Sequence, residues 1–389
     1  MAFNALVQQN KVVIAQRHIS LIDLAAQHSA IREELAAALK RVLESNRFIL
    51  GEDVGEFERE MASYTGAGFA IACASGSDAL FLALMALGIG PGDEVLVPPF
   101  TFFSTAGSVS RLGAVPVFVD VDPAAFTMDM NRVEDALKKH PRVRAIIPVH
   151  LYGGSADMDA LGSITRARDL FIIEDAAQAI GAECNNRRAG SIGHIGCLSF
   201  YPSKNLGALG DGGMVTTNDA ALAGRLQSMR VHGETGAYLH QWIGINSRLD
   251  TLQAAALRVK LRYLDRWTLR RQENAERYRQ TLATKAAPVQ APQAASFQTR
   301  HVYNQFVIRC PDRDALRNHL RDRGVGTGVY YPLSLHMQPC FANLGYKEGD
   351  FPASEKASRE VLALPVHPEV SAEDIEYVCQ AIESFYKRS

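Results

Sequence analysis

Residues Ser199 to Gly213 read SFYPSKNLGALGDGG. A short apolar run, Cys197 to Tyr201, predicts a strand leading into this stretch. Lys204 follows in a turn-rich loop. Glycines at 207, 210, 212 and 213 mark places where the backbone bends tightly or comes close to another group. Upstream, the same kind of run recurs: Ala70 to Ala74, Glu94 to Val97, Val115 to Val121, Ala145 to Leu151 and Phe171 to Asp175 are apolar and rich in β-branched residues. Helical periodicity separates them, as in Asp78 to Leu87, Asn131 to Lys139 and Met158 to Arg168. Near-continuous apolar strands alternating with helices imply an α/β fold with a mainly parallel sheet covered on both faces. Such sheets place ligands at the carboxyl ends of their strands, and Lys204 and Asp175 both fall there.

Outside this region the periodicity predicts helices around Ile31, Leu35, Leu39 and Val42 and over Val54 to Tyr64. It also predicts one long helix from about Leu249 to Leu282. The apolar stripe of that helix is Leu249, Leu252, Ala256, Val259, Tyr263 and Trp267. Arg258, Lys260, Arg262, Arg266, Arg270 and Arg271 read as its solvated face. Ala286 to Ser296, rich in Ala, Pro and Gln, reads as a linker. Strand His301 to Arg309, helix Arg313 to Arg323, a segment Thr327 to Pro332, and helices Ser354 to Leu362 and Ala372 to Lys387 then make a smaller α/β lobe. The expected division is an N-terminal arm over 1–17, a large domain over 18–248, and the long helix with the small domain over 249–389.

The 389 residues are 47% hydrophobic and 21% charged with a net charge of -1, an ordinary globular profile with a sizeable core. There is no long basic run, which argues against nucleic acid or a membrane surface as partner. The six cysteines show no CxxC and no metal-ligand spacing, so reduced thiols in a cytoplasmic protein are expected, with no metal site. The opening MAFNALVQQNKVVIAQ has no long apolar core and no small-residue cleavage site, so no secretory leader is expected. No apolar run reaches the length of about 18 residues that a membrane span needs.

A loop lysine is ordinarily a solvated charge, a strand-end aspartate a cap, and Ser75-Gly76-Ser77-Asp78 an ordinary helix start. In combination they point to chemistry. An amine, a carboxylate at a strand end and a helix N-terminus of phosphate size are the parts a pyridoxal phosphate site requires. The N–H groups of Gly76 and Ser77, with the Ser77 hydroxyl, suit the phosphate, and Asp78 must then point away from it. Asp175 suits the ring nitrogen, keeping it protonated. Gln178, three residues on, reaches the ring oxygen. Within Pro98-Pro99-Phe100-Thr101-Phe102-Phe103 the aromatics either fill the core or lay a flat ring on the cofactor.

SGSDAL, VPPFTFFSTA, GAVPVFVDVD, PVHLYG, IIEDAAQ, SFYPSKNLG, GDGGMVTTND and GINSRLDTLQAA occur in this order. From about Ile19 to the C-terminus the chain resembles the DegT/DnrJ/EryC1/StrS family of sugar aminotransferases, which have the type I (aspartate aminotransferase) fold. The resemblance implies covalent attachment of pyridoxal 5'-phosphate to Lys204, Asp175 on the ring nitrogen, Gln178 at the ring hydroxyl and Phe102 on the ring face. It places Gly76, Ser77 and Ser199 on the phosphate and Tyr330 and Tyr331 in the sugar pocket. It implies a homodimer with shared sites, in which Asn246 reaches the neighbour's phosphate and Arg248 lies near the neighbour's substrate. The implied reaction is ping-pong transfer of an amino group from L-glutamate to a nucleotide-linked keto-sugar. The segment NSRLD…LRVKLRYLD is similar to enzymes that aminate C3. Two departures stand out: Ser77 replaces the commoner threonine, and Ile180 stands where many relatives have histidine. The competing readings are the family's dehydratase branch, in which histidine replaces the lysine, and a non-catalytic regulator, which would not need Lys204, Asp175 and Gln178 together.

Overall fold

The computed structural model describes residues 17–166 and 168–387. The arm expected over 1–17 therefore lies outside the described residues except for Arg17. Seven strands form the central sheet: β1 (Phe69–Cys73), β2 (Glu94–Val97), β3 (Val115–Phe118), β4 (Val143–Ile146), β5 (Phe171–Asp175), β6 (Ile195–Ser199) and β7 (Gly213–Thr217). Their spatial order is β1-β7-β6-β5-β4-β2-β3. β7 runs antiparallel to β1 and β6, and every other pairing in this sheet is parallel.

Successive side chains in a strand leave on opposite faces, and both faces are covered. Ile71, Cys73, Val95, Val97, Ile195 and Cys197 pack into one core with Leu80 and Leu84 of helix Gly76–Ala86. Their neighbours Ala70, Ala72 and Leu198 join Phe57 and Met61, while Leu96, Ile146 and Ile172 join Val133 and Leu161. Each fully buried Val, Leu or Ile contributes about 1.5–3 kcal/mol. This two-sided burial is why the strands read as unbroken apolar runs.

The C-terminal lobe is built on β8 (Phe306–Arg309) and β9 (Val361–Leu364), an antiparallel pair with Phe306 opposite Leu364. Its core combines Ala275, Tyr278 and Leu282 with Leu316, Leu320, Ile375 and Val378, and Ile19 joins from the N-terminal side. Among the described residues no helix is long and apolar enough to cross a membrane.

Several expectations need correction. The single helix over 249–282 is two helices, Thr251–Leu261 and Leu264–Ala283. The first piece puts Ala254 and Leu257 into the large-domain core and the second puts Tyr278 and Leu282 into the lobe, so the break lets each face its own core. Its charged residues are not one solvated face. Arg258 pairs with Asp53 at 2.7 Å and Glu60 at 2.8 Å, while Lys260 and Arg271 are buried. The expected helix Ser354–Leu362 ends at Glu360, and Val361 onward is β9. The expected strand from His301 begins only at Phe306; before it the Val302 N–H bonds the Gly153 carbonyl and Asn304 and Gln305 line a cavity.

Candidate active site

A cavity of about 520 Å³ opens where β5 and β6 end, between the sheet and the C-terminal lobe. Its lining includes Ser75, Gly76, Ser77, Phe102, Asp175, Gln178, Ser199 and Lys204 together with Asn304, Gln305, Tyr330 and Tyr331. Nine of the eleven expected site residues thus meet in one space. Asn246 and Arg248 are not among its walls.

The helix start is shaped by close approaches. Ser75 caps helix Gly76–Ala86, its hydroxyl accepting from the Asp78 N–H at 3.1 Å. A Cβ on Gly76 would come within 2.6 Å of the Ser199 Cβ, and one on Gly213 within 2.2 Å of the Ser75 carbonyl oxygen. Only glycine lets β6, β7 and the helix start converge here. The Gly76 and Ser77 N–H groups precede the intrahelical ladder, and the Ser77 and Ser104 hydroxyls lie 2.5 Å apart. Asp78 turns away, as repulsion from a phosphate demands: its carboxylate accepts from the Ser247 hydroxyl at 2.8 Å.

Asp175 closes β5 and is buried. It accepts from the Thr105 hydroxyl at 2.8 Å and the Ala177 N–H at 3.2 Å. Burial raises its pKa, only partly offset by those bonds and by the charge of Lys204. Lys204 has its pKa pushed down to about 8 by burial, against the opposing pull of Asp175. The Gln178 side-chain amide accepts from the Tyr152 N–H and donates to the Tyr331 hydroxyl, both at 2.9 Å. Phe102 is 56% exposed within the cavity mouth, whereas Phe100 is core, packed against Phe126 and Tyr152. The core-filling reading of that aromatic loop is realised by Phe100, while Phe102 lines the cavity. Ile180 is buried in the apolar cluster of Val54 and Phe57 and does not line the cavity.

Four residues in or behind the site escaped the sequence reading. Glu174 is fully buried behind Asp175, holding the His150 ring Nε2 at 2.9 Å and the N–H groups of Gly190, Ile192 and Gly193. His150 accepts the Ala156 N–H on Nδ1, which leaves the Nε2 hydrogen to donate to Glu174. Thr105 is fully buried beneath Asp175. Continuing the apolar stripe past Trp267 by four residues reaches Arg271, a cavity wall, and that spacing was the available signal.

Comparison with known proteins shows the family of the chain. The model of the DegT/DnrJ/EryC1/StrS aminotransferase family matches residues 29–383. The chain belongs to this family. Pyridoxal phosphate is the family's cofactor, and the chain is an aminotransferase. A protein of Geobacillus stearothermophilus called a pleiotropic regulatory protein is 47% identical over 95% of this chain and 99% of its own. The UDP-N-acetyl-3-dehydro-alpha-D-glucosamine 3-aminotransferase of Acidithiobacillus ferrooxidans is 43% identical over 94% of this chain and 97% of its own. The crystal structure of S. venezuelae DesV in complex with a ketimine intermediate superposes with a TM-score of 0.92 at 42% identity. It covers 96% of this chain and 99% of that one.

Proposed function

We propose that this aminotransferase binds pyridoxal 5'-phosphate at Lys204 and moves an amino group from L-glutamate to a nucleotide-linked 3-keto-sugar. The observation that carries the reading is a single cavity lined by Lys204, Asp175, Gln178 and the Gly76 helix start. The similarity to an enzyme named for a 3-dehydro sugar supports C3 as the aminated carbon.

The residues fit the cofactor. Gly76 and Ser77 N–H groups, with the Ser77 and Ser199 hydroxyls, make a cradle for a phosphate that any Cβ on Gly76 would fill. Bound there, the cofactor supplies an electron sink for the carbon that exchanges its amine. Asp175, made more basic by burial, holds a proton on the ring nitrogen. Gln178 keeps one N–H free to donate to the ring hydroxyl. Phe102, a cavity wall, would cover the ring face. Lys204, whose pKa burial lowers to about 8, gives up its proton more readily than an exposed lysine, so its Nζ can take the Cα proton of the donor and return a proton to the product. Tyr330 and Tyr331, which line the same cavity, would contact the sugar.

Lys204 argues against the dehydratase branch, whose members carry histidine there. The regulatory name of the Geobacillus relative keeps a regulator in view, and one experiment separates the two. L-glutamate bleaches the yellow colour of the loaded enzyme, and the keto-sugar that restores it, from a panel of dTDP-, UDP- and GDP-linked compounds, is the substrate. A loaded protein that neither bleaches nor turns over contradicts the enzymatic reading.

We also infer a homodimer with shared sites. Asn246 is exposed while its neighbour Ser247 is buried against Asp78, so the segment lies on the outer side of the phosphate helix. There it can reach a partner's cavity together with Arg248. Mixing Lys204→Ala with an Asn246→Ala/Arg248→Ala variant restores roughly a quarter of wild-type activity through hybrids with one intact site. Hybrids as inactive as their parents rule out sharing.

A further inference from the structure

Asp175 stands at the end of a chain of two hydroxyls. Thr105, in the first turn of helix Ser104–Arg111, is fully buried. Its Oγ1 donates to Asp175 Oδ2 at 2.8 Å and lies 3.1 Å from Thr101 Oγ1. Thr101 is 2% exposed and belongs to the cavity wall. A hydroxyl carries one hydrogen, and an ionised carboxylate only accepts. The Thr105 hydrogen therefore goes to Asp175, and the Thr105 oxygen is left to accept from Thr101. Donation runs from Thr101 to Thr105 to Asp175, and each bond strengthens the next. The other carboxylate oxygen, Oδ1, accepts from the Ala177 N–H at 3.2 Å.

The chain acts on the carboxylate in two ways. The torsion that turns an aspartate carboxylate is soft, with a broad two-fold profile. A donor on each oxygen, one from a helix and one from the backbone after β5, fixes its plane. The chain also takes up charge. Burial raises the Asp175 pKa, and of the groups opposing that rise Thr105 has the largest effect, ahead of the Ala177 N–H, Lys204 and His150. Cys197 and Tyr331 also feel the Asp175 charge, and burial keeps both uncharged. A carboxylate paired with a ring nitrogen shares one proton with it, and the more basic partner keeps that proton.

We propose that Thr105, with Thr101 behind it, is a positioning residue that keeps the shared proton on the cofactor ring nitrogen and off Asp175. The proposal rests on the reading above that puts Asp175 at that nitrogen. Without the Thr105 bond the buried carboxylate is more basic still, the proton moves toward it, and the ring accepts electrons less well.

The test follows the proton itself, by NMR of protein loaded with pyridoxal phosphate whose ring nitrogen is isotopically labelled. Thr105→Val removes the hydroxyl and keeps the branched shape. Its ring-nitrogen resonance moves from the protonated toward the neutral position, and kcat falls about tenfold. Thr105→Ser restores the donor and returns the resonance to its wild-type place. Thr101→Val removes the second hydroxyl alone, moves the resonance the same way by less, and carries the test where Thr105→Val fails to fold. A resonance unmoved in the valine variants overturns the proposal whatever kcat does, since the hydroxyls then only satisfy one another in the core. A shift that Thr105→Ser fails to reverse also overturns it, since packing and not the donor would then be the cause. If Asp175→Asn leaves the wild-type resonance in place, Asp175 is not the partner of the ring nitrogen, and the reading of the site fails together with this proposal.

Discussion

Glu174 and Asp175 are adjacent carboxylates at the end of one strand, and the fold treats them in opposite ways. Strand alternation sends them to opposite faces. Glu174 enters the protein and receives four donors: the His150 ring at 2.9 Å and the N–H groups of Gly190, Ile192 and Gly193 at 2.8, 2.7 and 2.6 Å. Burial alone would raise its pKa, but these bonds hold it below the usual value. Asp175 faces the cavity with two donors, and there burial wins and the pKa rises. A carboxylate whose lone pairs are all taken organises its surroundings. One left partly unsatisfied beside a cavity can hold a proton belonging to a ligand.

The lysines make the same point differently. Lys204 and Lys260 both have pKa values lowered to about 8 by burial. Proton affinity therefore does not tell them apart. Lys204 opens on the cavity within reach of the Asp175 charge, whereas Lys260 is wedged outside it with Nζ 2.9 Å from His28 Nε2. Position in the cavity, and not proton affinity, is what the proposed role of Lys204 rests on.

Substitutions along these two pairs break or sharpen the comparison. The largest effect belongs to Asp175→Asn, which folds and binds cofactor but loses on the order of a hundredfold or more in kcat, because an amide cannot keep the ring nitrogen protonated. A loss below about fivefold means the carboxylate only caps the strand. Glu174→Gln works through the fold: it lowers stability by about 2–3 kcal/mol in urea titrations, since one buried N–H then meets an amide hydrogen, and reduces kcat less than about tenfold. Were its kcat to fall as far as that of Asp175→Asn with stability unchanged, the contrast between the neighbours would collapse.

The smallest effect is that of Lys260→Met, with kcat within about twofold of wild type. Its signature is in pH. The folded pKa of Lys260, about 8, lies below its ordinary 10.5, so between these values the unfolded chain binds more protons and stability rises with pH. Removing the amine reduces that rise in Tm from about pH 8 to about pH 10. An unchanged slope rules out burial as the cause of the shift.

Lys204, Asp175, Gln178 and the phosphate helix were legible in the sequence because each sits where a strand ends or a helix begins, positions that local pattern locates. Glu174 was not, since an acidic residue beside a functional one looks alike whether it is solvated or holds four donors from a distant loop. Arg271 was hidden by its neighbours. Among Arg266 and Arg270 it read as one more solvated charge, although it continues the buried stripe Leu264, Trp267 and Thr268, four residues past Trp267. The helix start at Gly76 and strand ends such as Ser199 fall within two residues of the pattern, because the caps and not the periodicity set them.

The central claim, that Lys204 and not another buried lysine carries the cofactor, is open to one direct measurement. Borohydride makes a lysine–cofactor link permanent, and peptide mass mapping then locates it. The account predicts the added pyridoxyl mass on the peptide containing Lys204, and its absence there when glutamate is supplied before reduction. The mass on Lys260 or any other lysine, with Lys204 unmodified, would contradict it.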